Sequence, residues 1–134
     1  ELSTLLFNAL SLFNRYLTSP EGTYPAWLET LLSKLHSPAW MGHSIADLYE
    51  ESNYSPPMLI AAFKKYLGVT PVQYITKLRI VHACNLLKNS DYSTLAISSL
   101  IGYDSLSHFN HVFKTYMGVT PGQYRKAYRS GRGL

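Results

Sequence analysis

Apolar positions recur at helical spacing along nearly the whole chain. Leu2, Leu5, Leu6, Ala9, Leu10, Phe13, Tyr16 and Leu17 share one face, which predicts an amphipathic helix in need of a partner surface. Thr18 to Thr23, with Pro20 and Gly22, reads as a linker. A helix follows over about Ala26–His36, with Trp27, Leu28, Leu31, Leu32 and Leu35 inward and Ser37-Pro38 as its stop. Ser44 caps a short helix, Ile45–Ser52, with Asp47 near its positive end, and Asn53 suits a left-handed turn after it. Ser55-Pro56 opens a helix over about Pro56–Leu67. A long helix, about Pro71–Lys88, carries Tyr74, Ile75, Leu78, His82 and Leu86 along one face, and Asn89-Ser90-Asp91 breaks it. Thr94–Ile101, Ser105–Met117 and Pro121–Arg129 complete the pattern, with Gly102 turning the chain between the first two. No segment shows sustained alternation between hairpin turns, so the fold class is all-α, about seven helices plus an N-terminal extra helix.

The pattern contains a tandem unit. Residues 63–74 read Phe-Lys-Lys-Tyr-Leu-Gly-Val-Thr-Pro-Val-Gln-Tyr, and residues 113–124 read Phe-Lys-Thr-Tyr-Met-Gly-Val-Thr-Pro-Gly-Gln-Tyr. Each copy ends one helix and starts another. Gly68 and Gly118 suit the left-handed position past a helix end. Thr70 and Thr120 suit N-caps, Pro71 and Pro121 the first helical position, and Gln73 and Gln123 the far side of a capping box. The expected architecture is two helix–turn–helix units joined by a long helix. Its expected division is 1–24 as the tail of a preceding domain, 25–70 as the first unit, 71–89 as the linker helix and 90–134 as the second unit.

Charge sharpens the picture. The net charge is +4. Residues 1–53 hold only Arg15 and Lys34 against six carboxylates, a net −4, whereas residues 54–134 hold ten Lys and Arg against Asp91 and Asp104, a net +8. A basic C-terminal portion joined to helix–turn–helix punctuation points to a polyanion partner, double-stranded DNA. The lone Cys84 excludes an internal disulfide and fits a reducing, cytoplasmic compartment; a buried structural thiol is the better reading than a nucleophile. Residues 2–17 are too short and too interrupted by Asn8, Asn14 and Arg15 to cross a bilayer, so no membrane role is expected. No acid/base pair, triad, phosphate-cradling glycine loop or metal box argues for an enzyme or a cofactor. His108 and His111 are spaced like two ligands, but no third is placed by spacing, so no metal is expected.

In a helix–turn–helix the second helix enters the major groove with its N-terminal residues at the base edges. In the second unit the candidates are Leu106, Ser107, His108, Asn110 and His111, which offer hydrogen bonds. In the first they are Pro57, Met58, Ile60 and Ala61, which offer none. That unit would contact a thymine methyl, read shape, or leave bases unread. Lys64, Lys65, Lys77, Lys114, Arg125 and Lys126 are candidate phosphate clamps, with idle surface charge as the alternative for each. Arg79 is either another clamp or an internal strut, salt-bridged across the linker helix.

At this point the chain resembles the DNA-binding domain of the AraC/XylS family of bacterial transcription regulators. The resemblance rests on Ile97, Gly102-Tyr103, Ser105, Phe109, Val112-Phe113-Lys114, Gly118, Thr120-Pro121 and Tyr124-Arg125, and on the linker run Tyr74-Ile75, Leu78-Arg79-Ile80, Ala83 and Leu86-Leu87; it covers roughly residues 40–129. It implies a homeodomain-like pair of helix–turn–helix subdomains, binding successive major grooves of an asymmetric site. It also implies a separate N-terminal effector-binding domain and an activator that contacts RNA polymerase. The chain departs from the family pattern at Tyr49 and Ser98, often Ala, at Asn53, often Gly, at Ile60 and Ala61, often polar or Arg, and at His111, often Arg. Val81 and Cys84 stand at usually charged linker positions and are expected to form an apolar docking strip for the 1–17 helix. The other reading is a protein-interaction module of the same fold with weak, salt-sensitive, non-specific DNA binding.

Overall fold

The computed structural model describes residues 24–130, and the regular structure among them is helical. The order is α1 (Ala26–Leu35), a 3-10 turn (Pro38–Trp40), α2 (Ile45–Ser52), α3 (Pro56–Leu67), α4 (Pro71–Asn89), α5 (Thr94–Leu100), α6 (Leu106–Met117) and α7 (Pro121–Ser130). The helix expected over residues 2–17 lies outside the described residues.

The repeated sequence makes the same joint twice. Gly68 and Gly118 close α3 and α6 at φ 75° and 79°, where a Cβ would be strained. Thr70 Oγ1 accepts from the Gln73 amide at 3.1 Å while Gln73 Oε1 accepts from the Thr70 amide at 2.9 Å. Thr120 and Gln123 repeat this at 3.1 and 3.0 Å. Behind each joint an aromatic pair meets edge to face with centroids 5.7 Å apart: Phe63 with Tyr74, and Phe113 with Tyr124. Equal caps and equal ring geometry give α3 and α6 equivalent places in their units.

α4 serves both cores. Its first half sends Tyr74, Ile75 and Leu78 among Leu28, Leu35, Leu48, Leu59 and Phe63. Its second half sends Ile80, Ala83, Cys84 and Leu87 among Ile97, Ile101, Phe109, Phe113 and Tyr124. The apolar strip expected at Val81 and Cys84 is therefore absent. Cys84 is 2% exposed inside the second core, and Val81 packs partly buried against the first. Burial pushes the Cys84 thiol up to about 11, which leaves it an inert packing group.

The remaining differences from the sequence reading have local causes. α4 runs through Asn89, because its last carbonyls find partners: Ser90 Oγ donates to Leu86 O, Arg125 Nε to Leu87 O, and Arg125 and Arg129 Nη2 to Ser90 O. Ser105 is the N-cap of α6 and not its first helical residue, accepting from the His108 amide at 3.1 Å. Ser93, unmarked in the sequence reading, caps α5 through the Ala96 amide. Tyr49 packs against the first core, and Ser98 is buried with its hydroxyl donating to Leu95 O.

A second contact joins the units beyond the shared helix. The Gly42 and Gly102 backbones approach so closely that a Cβ on Gly102 would lie 2.9 Å from Gly42 O. Arg79 bridges this seam: its Nη2 donates to His43 O at 2.8 Å, and its guanidinium lies over the Tyr103 ring at 5.2 Å. Arg79 is thus a strut, as one reading held, but its partners are a carbonyl and a ring, not a carboxylate.

Two half-buried histidines make stability pH-dependent. His36 shares a hydrogen bond with the Tyr74 hydroxyl, and burial and then repulsion from His82 hold its pKa below the ordinary value. Burial does the same to His82, whose Nε2 is enclosed with no hydrogen-bond partner among the described residues. Below about pH 6.5 the unfolded chain takes up protons that the folded chain resists, so stability falls as pH drops towards the folded-state pKa values. Urea unfolding from pH 7.5 to 5 is expected to show this decline, and His82→Leu is expected to flatten part of it.

Candidate nucleic-acid interface

α3 and α6 present their N-terminal halves outward because their buried residues, Leu59, Phe63 and Leu67 or Phe109, Phe113 and Met117, occupy one stripe. In the N-terminal half of α6 the exposed side chains are Ser107, His108 and His111, with Asn110 half exposed. His108 stands edge-on to Tyr103 at 5.2 Å, so its ring is oriented by the second core. Leu106 packs partly against that core. On α3, Pro57 and Ala61 are exposed, Met58 is 57% exposed and Ile60 is half-buried.

The cations divide into two kinds. Lys64, Lys65, Lys114 and Lys126 are exposed, and Lys77 is half-exposed on α4. The Lys65 ammonium lies 5.2 Å from the Tyr66 ring centre and keeps its solvent face. Arg125, grouped with the phosphate clamps from sequence, is instead turned onto the C-terminus of α4, with Nε and Nη2 bound to carbonyls at 3.1 Å. Helix-end geometry explains the difference, since a guanidinium there satisfies orphan acceptors and meets the negative end of the helix dipole.

Between the units lies an open cleft bordered by Ile45, Val72, Thr76, Arg79, Asp104 and His108. Among the described residues no three His, Cys, Asp or Glu cluster as metal ligands, and no helix is long and apolar enough to cross a membrane.

Two helix–turn–helix units, held in one frame with both second helices outward, define a DNA-binding module. The helix–turn–helix domain family matches residues 48–127. The chain belongs to the AraC-type helix–turn–helix family of transcription regulators. It is 39% identical over 83 residues to an uncharacterized HTH-type transcriptional regulator of Haemophilus influenzae, covering 62% of this chain and 28% of that protein. It is 34% identical over 97 residues to a putative AraC-like transcription regulator of Streptomyces lividans, covering 72% and 32%. Its fold is similar to the DNA-binding domain of AdpA, a global transcriptional factor solved in complex with a target DNA, with TM-score 0.66 and 26% identity over 81% of this chain and 94% of that one. The chain spans about a third or less of the length of these two sequence relatives. Fold and relatives are those of DNA-binding regulators, not of enzymes.

Proposed function

We propose that this domain is a sequence-specific reader of double-stranded DNA, with α3 and α6 entering successive major grooves of an asymmetric site. The equivalent placement of the two helices on one shared helix carries this reading. In the second unit Ser107, His108, Asn110 and His111 meet base edges, with Leu106 at the margin; in the first, Pro57, Ile60 and Ala61 face the groove. Lys64, Lys65, Lys77, Lys114 and Lys126 hold phosphates and set register. Arg125 acts from behind, holding α7 on α4. Residues 25–70, 71–89 and 90–134 are first unit, linker helix and second unit. Residues 1–24 lead from an effector-binding domain, and the whole protein acts on transcription through RNA polymerase. The greater length of the relatives and the AdpA–DNA complex support this reading.

Competition binding tests it, using duplex selected by the domain and a scrambled duplex of equal length. Asn110→Ala and His111→Ala are each expected to lose about tenfold to a hundredfold in preference for the selected duplex, the scale of one bidentate base contact. Binding to the scrambled duplex is expected to be unchanged. Equal losses on both duplexes would contradict base reading by α6.

A further inference from the structure

We infer that the first recognition helix, α3, reads DNA through the C5-methyl groups of pyrimidines, with no hydrogen bond to a base. The inference rests on the DNA-reading role proposed above and specifies its chemistry in the first unit.

From Pro56 onward the tip of α3 has no free amide to offer, and the Ser55 hydroxyl before it is held at the cap as an acceptor. Pro56 and Pro57 lack amide hydrogens altogether. The next two amides are taken: Met58 N–H donates to Ser55 Oγ and Leu59 N–H to Ser55 O at 3.0 Å. A helix start ordinarily presents unpaired amides to an anion or a base; here that capacity is removed by sequence. The side chains follow the same rule. From Pro56 to Ala62 no residue carries a polar side-chain atom other than the Met58 thioether, while Pro57, Met58 and Ala61 stand exposed. α6, in the equivalent place, begins Leu-Ser-His-Phe-Asn-His and keeps the amides of Leu106 and Ser107. The two heads therefore differ in kind.

In the major groove the thymine methyl is the one apolar group on a base edge. An apolar tip covering adenine, guanine or cytosine edges strips water from polar atoms and returns nothing, which is costly. Over thymine it gains contact with the methyl. Lys64 and Lys65, on the same helix, supply the charge that brings such a tip against a polyanion. The tip is equally indifferent to what the pyrimidine carries at position 4. A 5-methylcytosine·guanine pair should serve it as well as thymine·adenine does.

The test uses the domain and its selected duplex, with the first-unit block identified as the one that His111→Ala leaves intact. Each thymine there is replaced by deoxyuridine, which removes only the methyl, by 5-methylcytosine paired with guanine, which keeps the methyl and changes the hydrogen-bonding edge, and by cytosine paired with guanine. Removing a methyl is expected to weaken binding about threefold to fivefold. 5-Methylcytosine is expected to bind within twofold of thymine, and plain cytosine to match deoxyuridine. Met58→Ala with Ile60→Ala is expected to erase the methyl dependence while leaving the second block's preference unchanged. Deoxyuridine binding as well as thymine, 5-methylcytosine binding as weakly as cytosine, or a first block without thymine would overturn the inference alone. Loss of all preference for the unmodified duplex would overturn the DNA-reading role itself.

Discussion

Gly102→Ala is expected to destabilise the domain by about 2–5 kcal/mol. Gly102 sits at φ +97°, and its Cβ would meet Gly42 O at 2.9 Å and Gly42 Cα at 3.0 Å. The dihedral alone costs about 1–2 kcal/mol, and overpacking against backbone adds about 1–3 kcal/mol because backbone cannot step aside as a side-chain tip can. Arg79 Nη2, also 2.9 Å away, would be pushed from the seam, weakening its bond to His43 O. Two other glycines separate the causes. Gly68 has φ +75° with nothing within 4 Å of a Cβ, so Gly68→Ala carries the dihedral cost alone. Gly122 has open space and no positive φ, so Gly122→Ala is expected to gain about 0.4–1 kcal/mol. Urea denaturation of the three variants checks the ranking; equal effects at Gly102 and Gly68 would show that the seam contributes nothing.

Affinity for duplex DNA is expected to fall several-hundredfold, by roughly 10^2.5 to 10^3, between 50 and 200 mM salt. This follows from roughly five phosphate contacts and a slope of about −0.9 per contact. Lys64→Ala, Lys65→Ala, Lys77→Ala, Lys114→Ala and Lys126→Ala should each make the log–log slope shallower by about 0.9. Arg125→Ala should leave the slope unchanged and cost about 1–2 kcal/mol of stability, because it leaves the Leu87 carbonyl without its charged donor, while Ser90 O keeps Arg129 Nη2. Titrations across salt, with unfolding of the same variants, separate clamps from struts. A slope that shifts with Arg125→Ala and not with the lysines would reverse the assignment.

The helices were legible where the information is local. Thr70-Pro71-Gln73 and Thr120-Pro121-Gln123 announce their own caps, and the leucines of α1 and the aromatics of α3 and α6 announce their faces. Legibility ended where a residue's partner is distant in sequence. Arg125 reads as one more basic side chain until the end of α4, more than thirty residues earlier, is seen beneath it. Cys84 and Val81 read as one strip on a helical wheel, yet α4 passes between two cores and each residue belongs to a different one. Gly42 and Arg79 carry no sign of the seam with Gly102, since nothing in a single sequence couples positions so far apart. The candidate site was legible in chemistry more than in disposition. The apolar start of α3 was plain, but that Ser55 consumes the two amides left by Pro56 and Pro57 is a fact of geometry.

The most direct measurement is selection of duplex DNA from a random pool by the domain at physiological salt. The account predicts an asymmetric motif of two blocks about one helical turn apart, one of them recognised by α6 and relaxed by His111→Ala. No enrichment, with binding that disappears as salt rises, would contradict it.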